Sequence, residues 1–400
     1  MRMANNFKHE PADLGVVTRL LNDLNDLKVV DGHCHMFSEE AKESNPFEKF
    51  TLGGKMEDIK NTMLYHHVFN KMSKMLSCEP ALDKILEIRR KKAERFSEYI
   101  SYLFNDARID TLIVDTGYPP TITIDQFEKL VPAKIYRVFR IDENLFDELL
   151  DNSEDFDEML DNYLETLNRA IKEEKVVALK SIIAYTTGLH IKKVEEQEAE
   201  SIFKKFISSD KSRFKETYSF KMQHYVGPKK LRDFLFWRAL EMCIKEDIPM
   251  QIHTGDGDID MRDLSNANPL LLHHVLNDKE LSKAKLVLLH AGYPYVDRLG
   301  FLANLHPNVY MDISFIPLFA SIGIFYRLVN AFEMVPLTKI LYGSDAFQVP
   351  EMYWFSAKLV KESLRELLEQ EVNRGALDEG YAYKVAEMIL SENARRLYKI

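Results

Sequence analysis

Leu27-Lys28-Val29-Val30-Asp31-Gly32-His33-Cys34-His35 is the stretch whose reading decides the fold. An apolar run closes on a His-x-His pair, which reads as a β-strand with polar residues at its end. Side chains alternate across a strand, so His33 and His35 share one face and Cys34 takes the other. Two imidazoles on one face at a strand end can hold one metal ion. A lone His-x-His says little, because surface and core histidines often stand at that spacing. Its meaning depends on the rest of the chain.

Seven further runs rich in Val, Ile and Leu lie downstream: 111–116, 134–140, 176–183, 249–253, 285–290, 308–313 and 339–344. With 28–33 they make eight candidate strands. Near-continuous hydrophobicity, rather than alternation, marks strands buried on both faces of a parallel sheet. Helical patterns lie between them. Met159, Tyr163, Leu167 and Ile171 recur at helical spacing, and Val194 to Ile207 is charged and amphipathic. Strands alternating with helices eight times predict an α/β fold, a (β/α)8 TIM barrel. The chain reads as one domain over 1–400, with helical insertions at about 38–108 after the first strand and 190–245 after the fourth. The first contains a Met-, Phe- and Tyr-rich region, Met56 to Phe104, and the second a basic aromatic segment, Phe214 to Lys230. Connections of this length carry their own helices. In a barrel both rise from the C-terminal face and cap the active site.

Composition narrows the function. A hydrophobic content of 46% and a charged content of 29% are ordinary for a soluble globular protein. The net charge of −10 argues against nucleic acid as a partner, since phosphate binding needs a basic surface. Met1 to Glu10 lacks the apolar core of a signal peptide, and no apolar run approaches the ~20 residues of a membrane span. Cys34, Cys78 and Cys243 are far apart with no zinc-finger or CxxC spacing, which fits reduced thiols in a cytoplasmic protein. A homo-oligomer is compatible with an enzyme of this size.

Chemistry in a barrel enzyme sits where the strands end. The first run ends on His33 and His35, the fourth contains Lys180, the fifth ends on His253, the sixth on His290 and the eighth on Asp345. His33, His35, His253, His290 and Asp345, in this order on the first, fifth, sixth and eighth runs, resemble the pattern of the metal-dependent amidohydrolase superfamily, and the tail Ile389 to Tyr398 resembles that superfamily's C-terminal helix. Ala178 to Gly188, Gln251 to Gly257, Leu286 to Pro294 and Leu341 to Glu351 more narrowly resemble the amidohydrolase-like domain fused to glutamine synthetase in some fungal and plant proteins. The resemblance covers most of the chain from residue 27 onward and is weakest over the first insertion.

The resemblance implies that His33, His35 and His253 hold one divalent ion, with Asp345 as a further ligand. Neutral imidazoles and a carboxylate suit Zn2+. Such an ion lowers the pKa of water towards ~7, and Asp345 would take the water's proton and pass it to the leaving group. His290 would bind a second ion or polarise the substrate carbonyl, the alternative being a buried histidine bonded to backbone. Lys180 divides two arrangements: a carbamylated lysine bridging two ions, as in several superfamily members, or a free lysine beside one ion, paired with Asp345 or a substrate carboxylate. Arg140 is a candidate for a substrate carboxylate, or for an ion pair with Asp142 or Glu143. Tyr185, Asp256, Tyr293 and Glu351 sit just past strand ends as candidate pocket residues, Asp256 in the loop Thr254-Gly255-Asp256-Gly257-Asp258. The leading expectation is a metal-dependent hydrolase acting on a small amide, lactam or ester-like bond of a small-molecule substrate. The alternative is a metal-dependent non-oxidative decarboxylase of a small carboxylate, with Arg140 as clamp. A metal-retaining scaffold without turnover fits less well with intact ligand types at all five positions.

Overall fold

A computed structural model describes residues 24–218, 222–257 and 263–400. Met1 to Glu10 and Asp258 lie outside the described residues. Eight parallel strands form one sheet: β1 (Val29–Cys34), β2 (Ile109–Asp115), β3 (Lys134–Arg140), β4 (Ala178–Ser181), β7 (Met250–Ile252), β8 (Leu286–Leu288), β9 (Val309–Asp312) and β10 (Ile340–Leu341), in that order. Backbone bonds from Gly32 to the Tyr342 carbonyl and from Asp345 to the His33 carbonyl, both 2.9 Å, link the last strand to the first. The (β/α)8 barrel forms as expected. Gly32 is required at this closure, because a Cβ there would stand 2.7 Å from the Tyr342 carbonyl oxygen.

Inside the barrel Val30, Ile113, Val138, Ala178, Val287 and Leu341 form one buried cluster with Leu397 and Tyr398 of the C-terminal helix Asn393–Tyr398. Outside it a larger apolar layer includes Cys34 and Val29 of β1 and Met159, Tyr163 and Leu167 of the helix Phe156–Lys172. Strict alternation from the inward Val30 would turn Cys34 inward too. The register of β1 shifts between Asp31 and Cys34, so His33 and His35 reach the interior while Cys34 joins the outer layer.

The first long connection holds helices Met56–Ile59, Met63–Met75, Leu82–Ala93 and Phe96–Ala107. The second differs from its helical expectation. Beside helices Glu196–Ile207 and Lys229–Glu246 it contains an antiparallel hairpin, β5 (Lys215–Tyr218) and β6 (Met222–Tyr225). The eighth strand pairs over only two residues, because Tyr342 to Asp345 turn away to bond Ile389, Asp31 and His33. Among the described residues no helix is long and apolar enough to cross a membrane. The three cysteines are unpaired.

Candidate active site

His33 leaves the end of β1 fully buried, and its ring is fixed from behind. Gln251 of β7 gives its amide hydrogens to the Gly32 carbonyl (2.9 Å) and the Tyr398 hydroxyl (2.8 Å). Its carbonyl oxygen therefore faces His33 Nδ1 at 3.0 Å and accepts the ring's proton. Nε2 is left with a free lone pair directed into the barrel mouth. His35 Nε2 and His33 Nε2 lie 3.3 and 3.4 Å from the same Asp345 Oδ1. Asp345 is set there by left-handed backbone (φ 57°) and by its N–H bond to the His33 carbonyl. His290 also has positive φ (64°), its Nδ1 meeting Ser314 Oγ at 2.9 Å and its Nε2 meeting His253 Nδ1 at 3.0 Å. Non-glycine residues held at positive φ are costly, and two of them here are ligand candidates.

Electrostatics keep the donors in metal-competent forms. Burial pushes His33 down to about 4, with Lys180 adding to the effect. Burial likewise holds His253 and His290 well below the usual imidazole range. Burial alone would raise Asp345, but His290, His33 and His35 outweigh it and hold the carboxyl well below its ordinary range. Lys180 Nζ lies 3.2 Å from His33 Nε2 and is lowered to about 8 by burial, with Asp115 opposing. Beneath the mouth, burial raises Asp31 to about 8 and Asp312 to about 7.

A divalent ion fits this donor set. Ligand atoms of His33, His35 and Asp345 lie within 4.8 Å of one another. His253 Nε2 is buried without a hydrogen-bond partner, as a ligand-ready nitrogen would be. The structure thus gathers His33, His35 and Asp345 into one group, and places His253 and His290 beside it as a bonded pair with ring centroids 4.5 Å apart.

The cavity over this group is lined by Leu52 of the first insertion, by Arg140, Lys180, Ile182, Tyr185 and Gly257, and by Tyr118, Phe315, Phe319 and Phe347. Among the described residues none from 190–245 lines it. Arg140 reaches the cavity, yet each of its three nitrogens already carries a hydrogen bond. Nε and Nη2 bond Asp115 Oδ2 at 3.2 and 2.7 Å, and Nη1 bonds Glu143 at 2.7 Å. Of the two ion pairs expected, Glu143 is the one formed. Asp142 instead accepts the Ile182 N–H at 2.5 Å. Tyr185 packs on His253 with centroids 4.5 Å apart. Asp256 and Tyr293 do not line the cavity; their backbones bond each other at 2.5 Å, and the Tyr293 ring sits by Phe315 and Arg327. Glu351 is withdrawn into a buried ion pair with Arg89 at 2.8 Å, also accepting from Tyr99.

The comparisons agree with the geometry. An amidohydrolase family model matches residues 216–400. A candidate metal-dependent hydrolase of Lactobacillus casei superposes with a TM-score of 0.81 at 26% identity, over 95% of this chain and 97% of its own. The C-terminal part of the chain thus resembles the amidohydrolases in sequence, and the whole chain resembles a candidate metal-dependent hydrolase in fold. Protein fluG of Emericella nidulans is 29% identical over 245 residues, 60% of this chain but only 27% of that protein's length. A uronate isomerase of Bacillus halodurans shares the fold, with a TM-score of 0.68 at 16% identity over 96% of both chains.

Several residues of this site escape motif reading: Gln251, Asp115, Ser314, Asp31 and Asp312. The signal is a polar residue inside an apolar strand, which must find a partner when buried. Replacing Gln251 with leucine keeps volume but removes the group that fixes the His33 ring. The expected result is a 10- to 100-fold rise in the dissociation constant for zinc, measured by competition with a chromophoric chelator. Unchanged affinity would remove Gln251 from the site.

Proposed function

We propose that the chain is a metal-dependent hydrolase of a small amide, lactam or ester-like bond. The observation that carries this reading is the convergence of His33 and His35 on one oxygen of Asp345 inside an aromatic-walled cavity. His33, His35 and Asp345 would hold one divalent ion, and zinc suits two neutral imidazoles and a carboxylate. When bound, such an ion supplies Lewis acidity and lowers the pKa of water towards ~7.

Asp345, ionised at neutral pH, accepts the attacking water's proton at a carboxylate oxygen. It then returns that proton to the leaving nitrogen or oxygen. His290, held by Ser314 and His253, stays neutral and lends its ring to the cavity wall beside the ion group. The single lone pair of His33 Nε2 serves either the ion or Lys180. Ion binding therefore frees the Lys180 ammonium to face an anionic oxygen of the substrate. Tyr118, Tyr185, Phe315, Phe319 and Phe347 favour a flat substrate and exclude water around it.

The decarboxylase reading needs a cation open to a substrate carboxylate. Arg140 is the residue cast for that part, and its three engaged nitrogens point to Asp115 and Glu143 instead. That removes Arg140 as the clamp and leaves Lys180 as the cation that either reaction would use. The deciding assay sets the zinc-loaded protein against a library of aryl amides, lactams, esters and aryl carboxylates. Acid release from the amides or esters without carbon dioxide is expected. Carbon dioxide from the carboxylates with no hydrolysis would overturn the reading.

A further inference from the structure

Away from the barrel mouth, three histidines meet on the surface. His190 lies in the loop after β4, and His273 and His274 begin the one-turn helix His273–Leu276 that comes after β7. One nitrogen from each falls within 4.8 Å of the other two. His190 Nε2 faces His274 Nε2 at 3.0 Å, and the His273 and His274 ring centroids are only 3.9 Å apart. Neighbours i and i+1 on a helix ordinarily point apart, so two consecutive rings turned onto a third are not a by-product of helix geometry. His190 and His274 are half-buried and His273 is exposed, which leaves one side open to solvent.

We propose that His190, His273 and His274 form a second divalent-metal site, distinct from the central one and taking borderline ions such as zinc, nickel or copper. Three imidazole nitrogens with one open position are a donor set for these ions. Magnesium and calcium require oxygen donors, and Asp233, the carboxylate whose charge acts on His190, is already engaged by Lys229 Nζ (2.9 Å) and the Lys192 N–H (3.2 Å).

The site joins two loops that both reach the catalytic cavity. The first carries Tyr185 and the second Gly257. The loops already touch where the Leu189 N–H bonds the Asn266 carbonyl at 2.8 Å. Gly188 (φ 82°) lets them approach, since a Cβ there would lie 3.0 Å from the Asn266 side chain. An ion at the three histidines fastens that contact from outside.

The test is zinc uptake by the full chain, measured by equilibrium dialysis and elemental analysis, for the parent, His273→Gln and His274→Gln. His273 is exposed, so His273→Gln keeps the fold even if the half-buried His274 does not tolerate change. The parent should bind one more zinc per chain than either variant, or bind it more than about tenfold more tightly. Excess magnesium should leave that increment in place. Equal uptake by parent and His273→Gln, or loss of the increment to magnesium, overturns the proposal.

Discussion

Asp345→Asn should lower kcat by about 10²- to 10⁴-fold, the range for removing a positioned proton acceptor, while the protein stays folded. Asparagine keeps the shape and an oxygen at the Oδ1 position, where His33 and His35 converge. What it loses is charge and basicity. Asp345 is held ionised against its own burial by His290, His33 and His35. Since its folded pKa is depressed, the ionised form contributes stability above the usual carboxylate value of ~4, and that contribution fades as acid titrates the folded group. The variant should therefore lose its share of stability at neutral pH and differ least from the parent in strong acid. Melting temperature against pH, read beside kcat, separates the two effects. Catalysis retained in Asp345→Asn would show that the carboxylate moves no proton.

Most of the barrel was legible because a parallel sheet buried on both faces writes itself as apolar runs, and each run ends where the next helix must begin. The strands 134–140 and 109–115 fall within two residues of the runs that announced them. The metal-competent residues were legible for a related reason: a histidine or aspartate closing such a run stands at the rim of the barrel. The hairpin β5–β6 was not, since its two four-residue strands pair only with each other and need no long apolar pattern.

Pairings in space were hidden as well. Arg140 offered a choice between substrate and ion pair. Asp115 decides the matter from the neighbouring strand, one register step beyond the paired residues Val114 and Arg137. Gly117 is the local accomplice, for a Cβ there would stand 2.7 Å from Arg140 Nε. Lys180 carried two readings in sequence, and the structure places its amine 3.2 Å from the nitrogen of His33 that an ion would take.

His33→Ala carries the other large expected effect. It removes one imidazole of the group that would hold the central ion and, with it, the acceptor of Lys180 and the partner of Gln251. Zinc retained by the central site after dialysis should fall from one ion per chain to none, and turnover should fall below detection. The stability cost has a definite source. The Gln251 carbonyl oxygen loses its donor in a buried place, at a cost of about 1–3 kcal/mol. That is too little to unfold a barrel of this size, so circular dichroism should match the parent. Metal content read on the same sample distinguishes loss of the ion from loss of the fold. If His33→Ala keeps its central ion and its activity, the strand-end group of His33, His35 and Asp345 is not where the chemistry happens. His253 and His290, joined at 3.0 Å, would then be the pair to replace next.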